Sequence, residues 1–157
     1  MANGTYVFKA SDIEESTGSA YPDAYQHVTK DRYVRRLTVP AHLTNYAVNI
    51  VRLAPGGQSS CRHAHSKQDE FVYMMEGELV LNTDAGRQVV KVGDCVGFPA
   101  GTGDAHHFIN ETDRNATFLV IGDRSSDDTV AYPDDDMAAR LDADGKLVIT
   151  HKDGSAY

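Results

Sequence analysis

From about residue 36 the sequence breaks into short runs of β-branched and aromatic residues, separated by glycine, proline and other turn-forming residues. The runs recur roughly every ten residues, which is typical of an all-β domain and predicts a sandwich or barrel. They are "RRLTVP", "NYAVNIVRLAPGG", "SSCRHAH", "EFVYMMEGELVLNTD", "GRQVVKVGDCVGFPAG", "HHFINET" and "TFLVIGD".

The chain of 157 residues is long enough for one domain with a core of its own. Residues 1–35 lack sustained periodicity and predict an irregular N-terminal arm, with one short helical turn in "ASDIEES". Residues 36–124 form the predicted barrel, in which "EGE" and "TDAGRQ" indicate tight hairpins. Residues 125–157 form a predicted C-terminal extension that packs on the barrel, where "DMAARL" indicates a helical turn and "KLVITHKDG" a final strand.

The charge and the apolar runs exclude several classes of partner. A formal net charge of −8 argues against nucleic acid, because binding to phosphates depends on Lys and Arg. Much of the negative charge lies late, as in "DDTVAYPDDD", which we expect to be solvated surface. The sequence has no apolar run long enough to predict a membrane helix and no basic start followed by an apolar stretch, so we expect a cytoplasmic protein with reduced cysteines.

The stretch "CRHAHSKQDEFVYMMEG" predicts a metal site. In a strand, residues i and i+2 point to the same face, so His63 and His65 project together. A hairpin at "SKQD" would bring Glu70 beside them at the start of the next strand. Two imidazoles and one carboxylate leave open positions on a divalent transition metal, which is typical of reactive rather than structural sites.

A frame of glycines surrounds these residues. The order is Gly57, five residues, His63, one residue, His65, four residues, Glu70, six residues, Gly77. This frame resembles the first signature motif of the cupin superfamily with nothing missing. Downstream, Gly93, five residues, "PAG", and then His106, three residues, Asn110 resemble the second cupin motif.

The turn before His106 is longer than in the usual second motif. That motif usually has two residues between its later glycine and the histidine, whereas four follow Gly101 here. Taking Gly103 as that glycine restores the spacing but lengthens the gap from the proline. The neighbouring His107 could replace His106 as the inward imidazole if the strand contains a bulge, although the spacing to Asn110 favours His106.

The resemblance implies a double-stranded β-helix, or jelly roll, with a divalent transition metal near the middle of the barrel. It also implies that Fe, Mn, Ni or Zn is the metal, and that the ligands are His63, His65, Glu70 and His106. Within the superfamily the sequence resembles small single-domain bacterial cupins, some of which carry sugar-phosphate isomerase as a provisional name. A homodimer is the assembly that such barrels commonly form.

Strand parity predicts what surrounds the metal. If Glu70 faces inward, then Val72 and Met74 do too, and the same counting places Phe108 beside His106. These side chains would form an apolar lining suited to a small organic ligand, or plain core.

Other polar residues near the motifs leave alternatives open. Cys61 shares the parity of His63 and could be an extra ligand or a redox-sensitive thiol, although a packed side chain is the simpler interpretation. The register of the strand before the first motif stays open, so Tyr46, Asn49 and Arg52 are candidates to bind a carboxylate, phosphate or carbonyl.

Two classes of function are consistent with this site. The first is a metal-dependent enzyme acting on a small polar or carbonyl-bearing molecule, by isomerase-like or epimerase-like chemistry or by dioxygenase-like chemistry. Isomerisation needs a base near the metal, and no base besides the ligand Glu70 stands out. The alternative is a non-catalytic module that binds a small ligand.

Overall fold

The computed structural model describes residues 7–142 and 146–157, and within these ranges it contains twelve strands and two short 3-10 helices. The helices are η1 (Ala10–Asp12) and η2 (Asp23–Thr29). The strands are β1 (Arg32–Arg36), β2 (Tyr46–Leu53), β3 (Ala64–His65), β4 (Glu70–Glu76), β5 (Glu78–Thr83), β6 (Gly86–Lys91), β7 (Cys95–Phe98), β8 (His107–Ile109), β9 (Ala116–Asp123), β10 (Thr129–Tyr132), β11 (Met137–Leu141) and β12 (Leu147–Thr150). No helix in the described ranges is both long and apolar enough to span a membrane.

The strands form two layers, and every pairing between them is antiparallel. The first layer is a five-stranded sheet in the order β1-β2-β9-β4-β7. The second layer consists of the sheets β12-β11-β10-β3 and β6-β5-β8. An isolated bridge between His63 and His106 joins these two sheets, so the second layer continues across the candidate metal site. The fold is therefore all-β and has the expected jelly-roll architecture.

The core lies between the two layers. Strand β4 shows how the sequence produces it, because its side chains alternate between the two faces of the sheet. Val72 and Met74 are buried, whereas Phe71 and Tyr73 are exposed. A second cluster of buried residues lies under the C-terminal strands, where η2 packs against it; its members are Cys61, Val130, Tyr132, Met137 and Ala139.

The hairpin expected at "EGE" is wrong, because β4 and β5 belong to different layers. Gly77 carries the chain from one to the other with a positive φ of 75°. A Cβ atom there would lie 2.8 Å from the carbonyl oxygen of Asn115, so no larger residue fits without a shift. The hairpin expected at "TDAGRQ" is confirmed, since Thr83 pairs with Gly86 across β5 and β6.

Two other local expectations are also wrong. The "SKQD" segment is not a hairpin, because β3 pairs with β10 while β4 pairs with β7 and β9. The "DMAARL" segment is not a helical turn, because Met137–Leu141 is strand β11 between β10 and β12. In both segments long-range pairing decides the structure, which local turn propensity does not report.

The strands also extend beyond the predicted barrel at both ends. Strand β1 begins at Arg32, inside the segment predicted to be an arm. Strands β10 to β12 extend the second layer rather than packing outside it. The bridge between Ser16 and Val34 ties the remaining arm to β1.

Candidate metal centre

Four sequence-predicted side chains meet between the two layers. His63 and His106 face each other as a bridged pair, with backbone hydrogen bonds of 3.1 Å from His63 N and 2.8 Å from His106 N. His65 lies in the short strand β3 beside His63, and Glu70 opens β4 on the opposite layer. The site therefore joins the two layers at one place.

The three imidazoles converge on one carboxylate oxygen. From Oε2 of Glu70, the Nε2 atoms of His106, His63 and His65 lie 3.0, 3.8 and 4.0 Å away. Candidate ligand atoms of His63, Glu70 and His106 all lie within 4.8 Å of one another. His65 stands slightly apart from this group but contacts the same carboxylate oxygen.

The other ring nitrogens of two histidines are held by hydrogen bonds. Nδ1 of His63 lies 3.1 Å from the carbonyl oxygen of Cys61 and 3.2 Å from Oγ of Ser60. Nδ1 of His65 donates to Oδ2 of Asp128 at 2.6 Å. Because Nδ1 is engaged in each ring, Nε2 is the nitrogen left to face Glu70.

Asp128 is the site residue that sequence reasoning missed. It comes from the acidic run expected to be solvated surface, yet its side chain is only 4% exposed. Its Oδ1 accepts from Ser66 Oγ at 3.1 Å and from Lys67 N at 2.8 Å. The carboxylate is therefore held in place beside His65, and composition alone did not indicate this.

The electrostatics keep two of the candidate ligands, His63 and Glu70, in metal-binding form at neutral pH. Burial lowers the pKa of His63 to about 4, so its imidazole is neutral. Burial alone would raise the pKa of Glu70, but the hydrogen bond from His106 and the nearby imidazoles outweigh burial and hold it at about 2. A neutral imidazole and an ionised carboxylate are the forms that bind a divalent metal.

This donor set fits a divalent transition metal. Ligands about 2.0 to 2.2 Å from such an ion lie roughly 3 to 4 Å from one another, which is the range of the distances to Glu70. Nε2 of His63 and Nε2 of His65 are too far from Glu70 for hydrogen bonds. A cation shared by the two imidazoles would accept the lone pair of each Nε2 atom.

His106 and His107 have different surroundings, and only the ring of His106 contacts Glu70 among these two. His106 is buried, and its ring stacks on Phe98 with centroids 3.5 Å apart. The ring of His107 lies elsewhere, with Nδ1 donating to the carbonyl oxygen of Ser60 at 3.1 Å and Nε2 3.2 Å from Nδ2 of Asn82. The lengthened turn is fastened to β3, since Gly101 N donates to the carbonyl oxygen of His65 at 3.0 Å.

Cys61 is placed as a packed side chain rather than a ligand. It is buried in the second core cluster with Tyr132 and Met137. Burial raises the pKa of the Cys61 thiol to about 12, so the thiolate needed for metal binding or redox chemistry is disfavoured. Cys61 and Cys95 are both free thiols.

A cavity of about 400 Å³ opens onto the four side chains. Val72 and Phe108 line it, whereas Met74 lies in the core cluster between the layers. Of the candidates on β2, Asn49 lines the cavity, while Arg52 pairs with Glu15 at 2.6 Å. The remaining candidate on β2, Tyr46, is 53% exposed.

The cavity also contains polar residues that sequence reasoning did not select: Tyr21, Arg32, Arg36 and Tyr132. Arg32 and Arg36 are on β1, most of which lies within residues 1–35, the predicted irregular arm. Alternation along "RYVRR" was the available signal, because Arg32, Val34 and Arg36 share one face of a strand.

An antiparallel jelly roll with three histidines and a glutamate at an internal cavity defines a barrel protein with a candidate metal site as a class. The profile of the Cupin_2 family, described as a cupin domain, matches residues 49–122. The chain belongs to the cupin superfamily.

Two solved structures resemble nearly the whole chain, and a third resembles about three quarters of it. A sugar phosphate isomerase of the cupin superfamily from Silicibacter pomeroyi is 44% identical, with 96% of each chain covered and a TM-score of 0.91. A protein from Acidithiobacillus ferrooxidans, provisionally named a sugar phosphate isomerase, is 22% identical over 97% of this chain and 96% of its own, with a TM-score of 0.79. The polyketide cyclase RemF from Streptomyces resistomycificus is 21% identical over 74% of this chain and 78% of its own, with a TM-score of 0.61.

The last two similarities show the fold alone. No curated protein matches the sequence.

Proposed function

We propose that the protein is a metal-dependent enzyme that isomerises a small carbonyl-bearing sugar derivative. The metal ligands in this proposal are His63, His65, Glu70 and His106. The observation that carries it is the convergence of three imidazoles on the Glu70 carboxylate at the wall of a cavity large enough for a small molecule.

The relative from Silicibacter pomeroyi supports the substrate class. It is named a sugar phosphate isomerase and is similar over nearly the whole chain at 44% identity. A divalent metal bound by the four side chains would act as a Lewis acid on a substrate carbonyl. Fe, Mn, Ni and Zn all suit a donor set of imidazoles and one carboxylate.

The residues of the cavity would orient the substrate and exclude water. Val72, Phe98 and Phe108 form apolar walls. Burial raises the pKa of Tyr132 to about 12 and also raises the pKa of Tyr21, so both hydroxyls keep their protons. The two hydroxyls are hydrogen-bonded to each other, so one proton is engaged in that bond and the other can be donated to a substrate oxygen.

One observation favours a second candidate, a ligand-binding module without catalysis. Glu70 is the only carboxylate among the described residues that line the cavity, and a pKa of about 2 makes it a weak base. Isomerisation needs a group that accepts a proton from carbon. A metal-held ligand without turnover, or a dioxygenase reaction that needs no such base, would use the same site.

The test follows each reaction separately. Protein loaded with Mn, Fe(II), Ni or Zn would be incubated with aldose and ketose phosphates in D₂O, and NMR would follow interconversion and incorporation of deuterium at carbon. An oxygen electrode would measure oxygen uptake in parallel. Isomerisation that disappears in Glu70→Gln supports the enzyme, whereas tight ligand binding without turnover in either assay would replace it by the binding module.

The homodimer and the cytoplasmic location stay predictions. The outer face of the first layer offers a surface for a second copy, because apolar side chains from three paired strands lie side by side on it. Phe71, Tyr73 and Met75 on this face are 43%, 40% and 44% exposed. The neighbouring apolar residues are Val48, Ile50, Leu119 and Ile121.

A further inference from the structure

Arg32 places a positive charge in the same cavity as the candidate metal site, without an acidic partner in the described ranges. It is the first residue of β1, and its face of the strand also carries Val34 and Arg36 into the cavity wall. Its side chain is partly buried, and burial lowers the pKa of the guanidinium, although an arginine remains charged at neutral pH. A cation withdrawn from water without a counter-charge is costly to maintain.

The guanidinium is positioned by backbone oxygens rather than by carboxylates. Its Nη1 donates to the carbonyl oxygen of Ser59 at 2.6 Å, and its Nη2 donates to that of Gly18 at 3.0 Å. Its Nε is buried and has no hydrogen-bond partner within the described part of the chain. The head group is therefore fixed in orientation, and each Nη atom has a second N–H that these two bonds do not use.

Among the described residues, no carboxylate is one of the groups that act most strongly on the charge of Arg32. The charged or titratable groups that act on it most strongly are Tyr21, Arg36 and Tyr132. Both tyrosines keep their protons, and Arg36 adds a second positive charge at a more exposed point of the same cavity. Two guanidiniums without a facing carboxylate form an electropositive end of the cavity, which suits an anion.

This end lies close to the candidate metal site. Ser59, which accepts from Arg32, precedes Ser60, whose hydroxyl contacts Nδ1 of His63 at 3.2 Å. The ring of Tyr132 bridges the two ends, with its centroid 6.0 Å from that of His63 and 5.9 Å from that of Tyr21. A single small molecule can therefore reach both ends.

We propose that Arg32, assisted by Arg36, binds the anionic group of the substrate, a phosphate or a carboxylate, while the carbonyl end of the same molecule lies at the metal. This inference rests on the proposed function, because it assigns the two ends of one substrate. Arg32 is then the residue that selects charged substrates over neutral sugars, since a planar guanidinium binds phosphate or carboxylate oxygens through two parallel hydrogen bonds.

The test measures anion binding with and without metal. Isothermal titration calorimetry would follow inorganic phosphate and acetate binding to the full-length protein as purified and again after chelator treatment. We expect Arg32→Met to weaken binding of the preferred anion at least roughly tenfold in both preparations. The matched control is Arg35→Met on the same strand, since Arg35 pairs with Glu15 rather than lining the cavity, and its affinity should equal that of the wild type.

Two further variants guard against a folding defect in Arg32→Met. Arg32→Lys keeps the charge and should retain part of the affinity, and Arg36→Met alters a more exposed residue and should weaken binding by a few-fold. The anion that binds more tightly identifies the substrate's charged group. Equal anion affinity in wild type and all Arg32 variants, or no anion binding by the chelated wild type, would overturn the proposal.

The chelated preparation separates the two proposals. If anion binding depends on Arg32 but the protein takes up no metal when metal is offered again, the proposed function alone is contradicted. Metal-dependent turnover without any effect of Arg32 would contradict the anion site alone.

Discussion

Nδ1 of His65 and Oδ2 of Asp128 lie 2.6 Å apart, although the two residues are 63 positions apart in the sequence. His65 is in β3, and Asp128 directly precedes β10. The pairing of β3 with β10 brings them together, since Val130 lies opposite His65. Carboxylates that hold the outer nitrogen of a metal-binding histidine fix the ring and increase its basicity. The contact makes Asp128 a positioning residue of the proposed metal centre.

Asp128→Asn is expected to weaken metal affinity roughly ten- to hundredfold, because the ring of His65 loses its charged partner while the side chain keeps its size. Competition titration with a metal-binding dye would measure the affinity. The matched control is Asp127→Asn, because Asp127 is exposed and pairs with Lys67 at the surface. Equal metal affinity in wild type and Asp128→Asn would show that this contact is structural only.

Met74→Ala tests whether Met74 packs in the core rather than lining the cavity. Met74 is fully buried in the main core, so truncation is expected to lower the free energy of unfolding by about 2 to 5 kcal/mol. The neighbouring Met75 lies on the proposed dimer face and is 44% exposed in the single chain, so under conditions where the chain is monomeric Met75→Ala should change this free energy by less than about 0.5 kcal/mol. Urea denaturation measures both, and a similar loss in the two variants would contradict the assigned parity of β4.

The predicted homodimer should have about twice the chain mass of 17.1 kDa. Size-exclusion chromatography with light scattering at micromolar concentration would measure it. Replacing Phe71 and Tyr73 together by Ser should shift the protein to the monomer, because apolar area leaves the proposed interface. Val89→Ser changes a residue on β6 that is 54% exposed and should leave the dimer intact. A wild-type mass near 17.1 kDa would contradict the dimer.

Strand parity correctly predicted which side chains of a strand are buried. The alternation "EFVYMME" correctly separated buried Val72 and Met74 from exposed Phe71 and Tyr73, because the side-chain period of a strand does not depend on its partner. The all-β class followed from the same kind of local signal.

Contacts between the two layers, and between distant segments of one layer, could not be predicted from strand parity. "EGE" has the residues of a tight turn, yet the chain passes from one layer to the other there, and Gly77 packs closely against the backbone of Asn115. Asp128 lies in a run whose composition indicates solvation, and only the pairing of β10 with β3 buries it. Arg32 likewise became a cavity residue only through the pairing of β1 with β2. Such contacts depend on distant segments, which one sequence does not identify.

The most direct test of the metal site compares two adjacent histidines. Elemental analysis of the purified protein, as isolated and after loading with Fe(II), Mn, Ni or Zn, would give the metal stoichiometry of wild type, His106→Ala and His107→Ala. His106 contacts Glu70, whereas His107 contacts Asn82 and Ser60. We expect about one metal per chain in wild type and His107→Ala, and a large loss in His106→Ala. A wild-type protein that takes up none of these metals, or equal metal content in both variants, would contradict the proposed site.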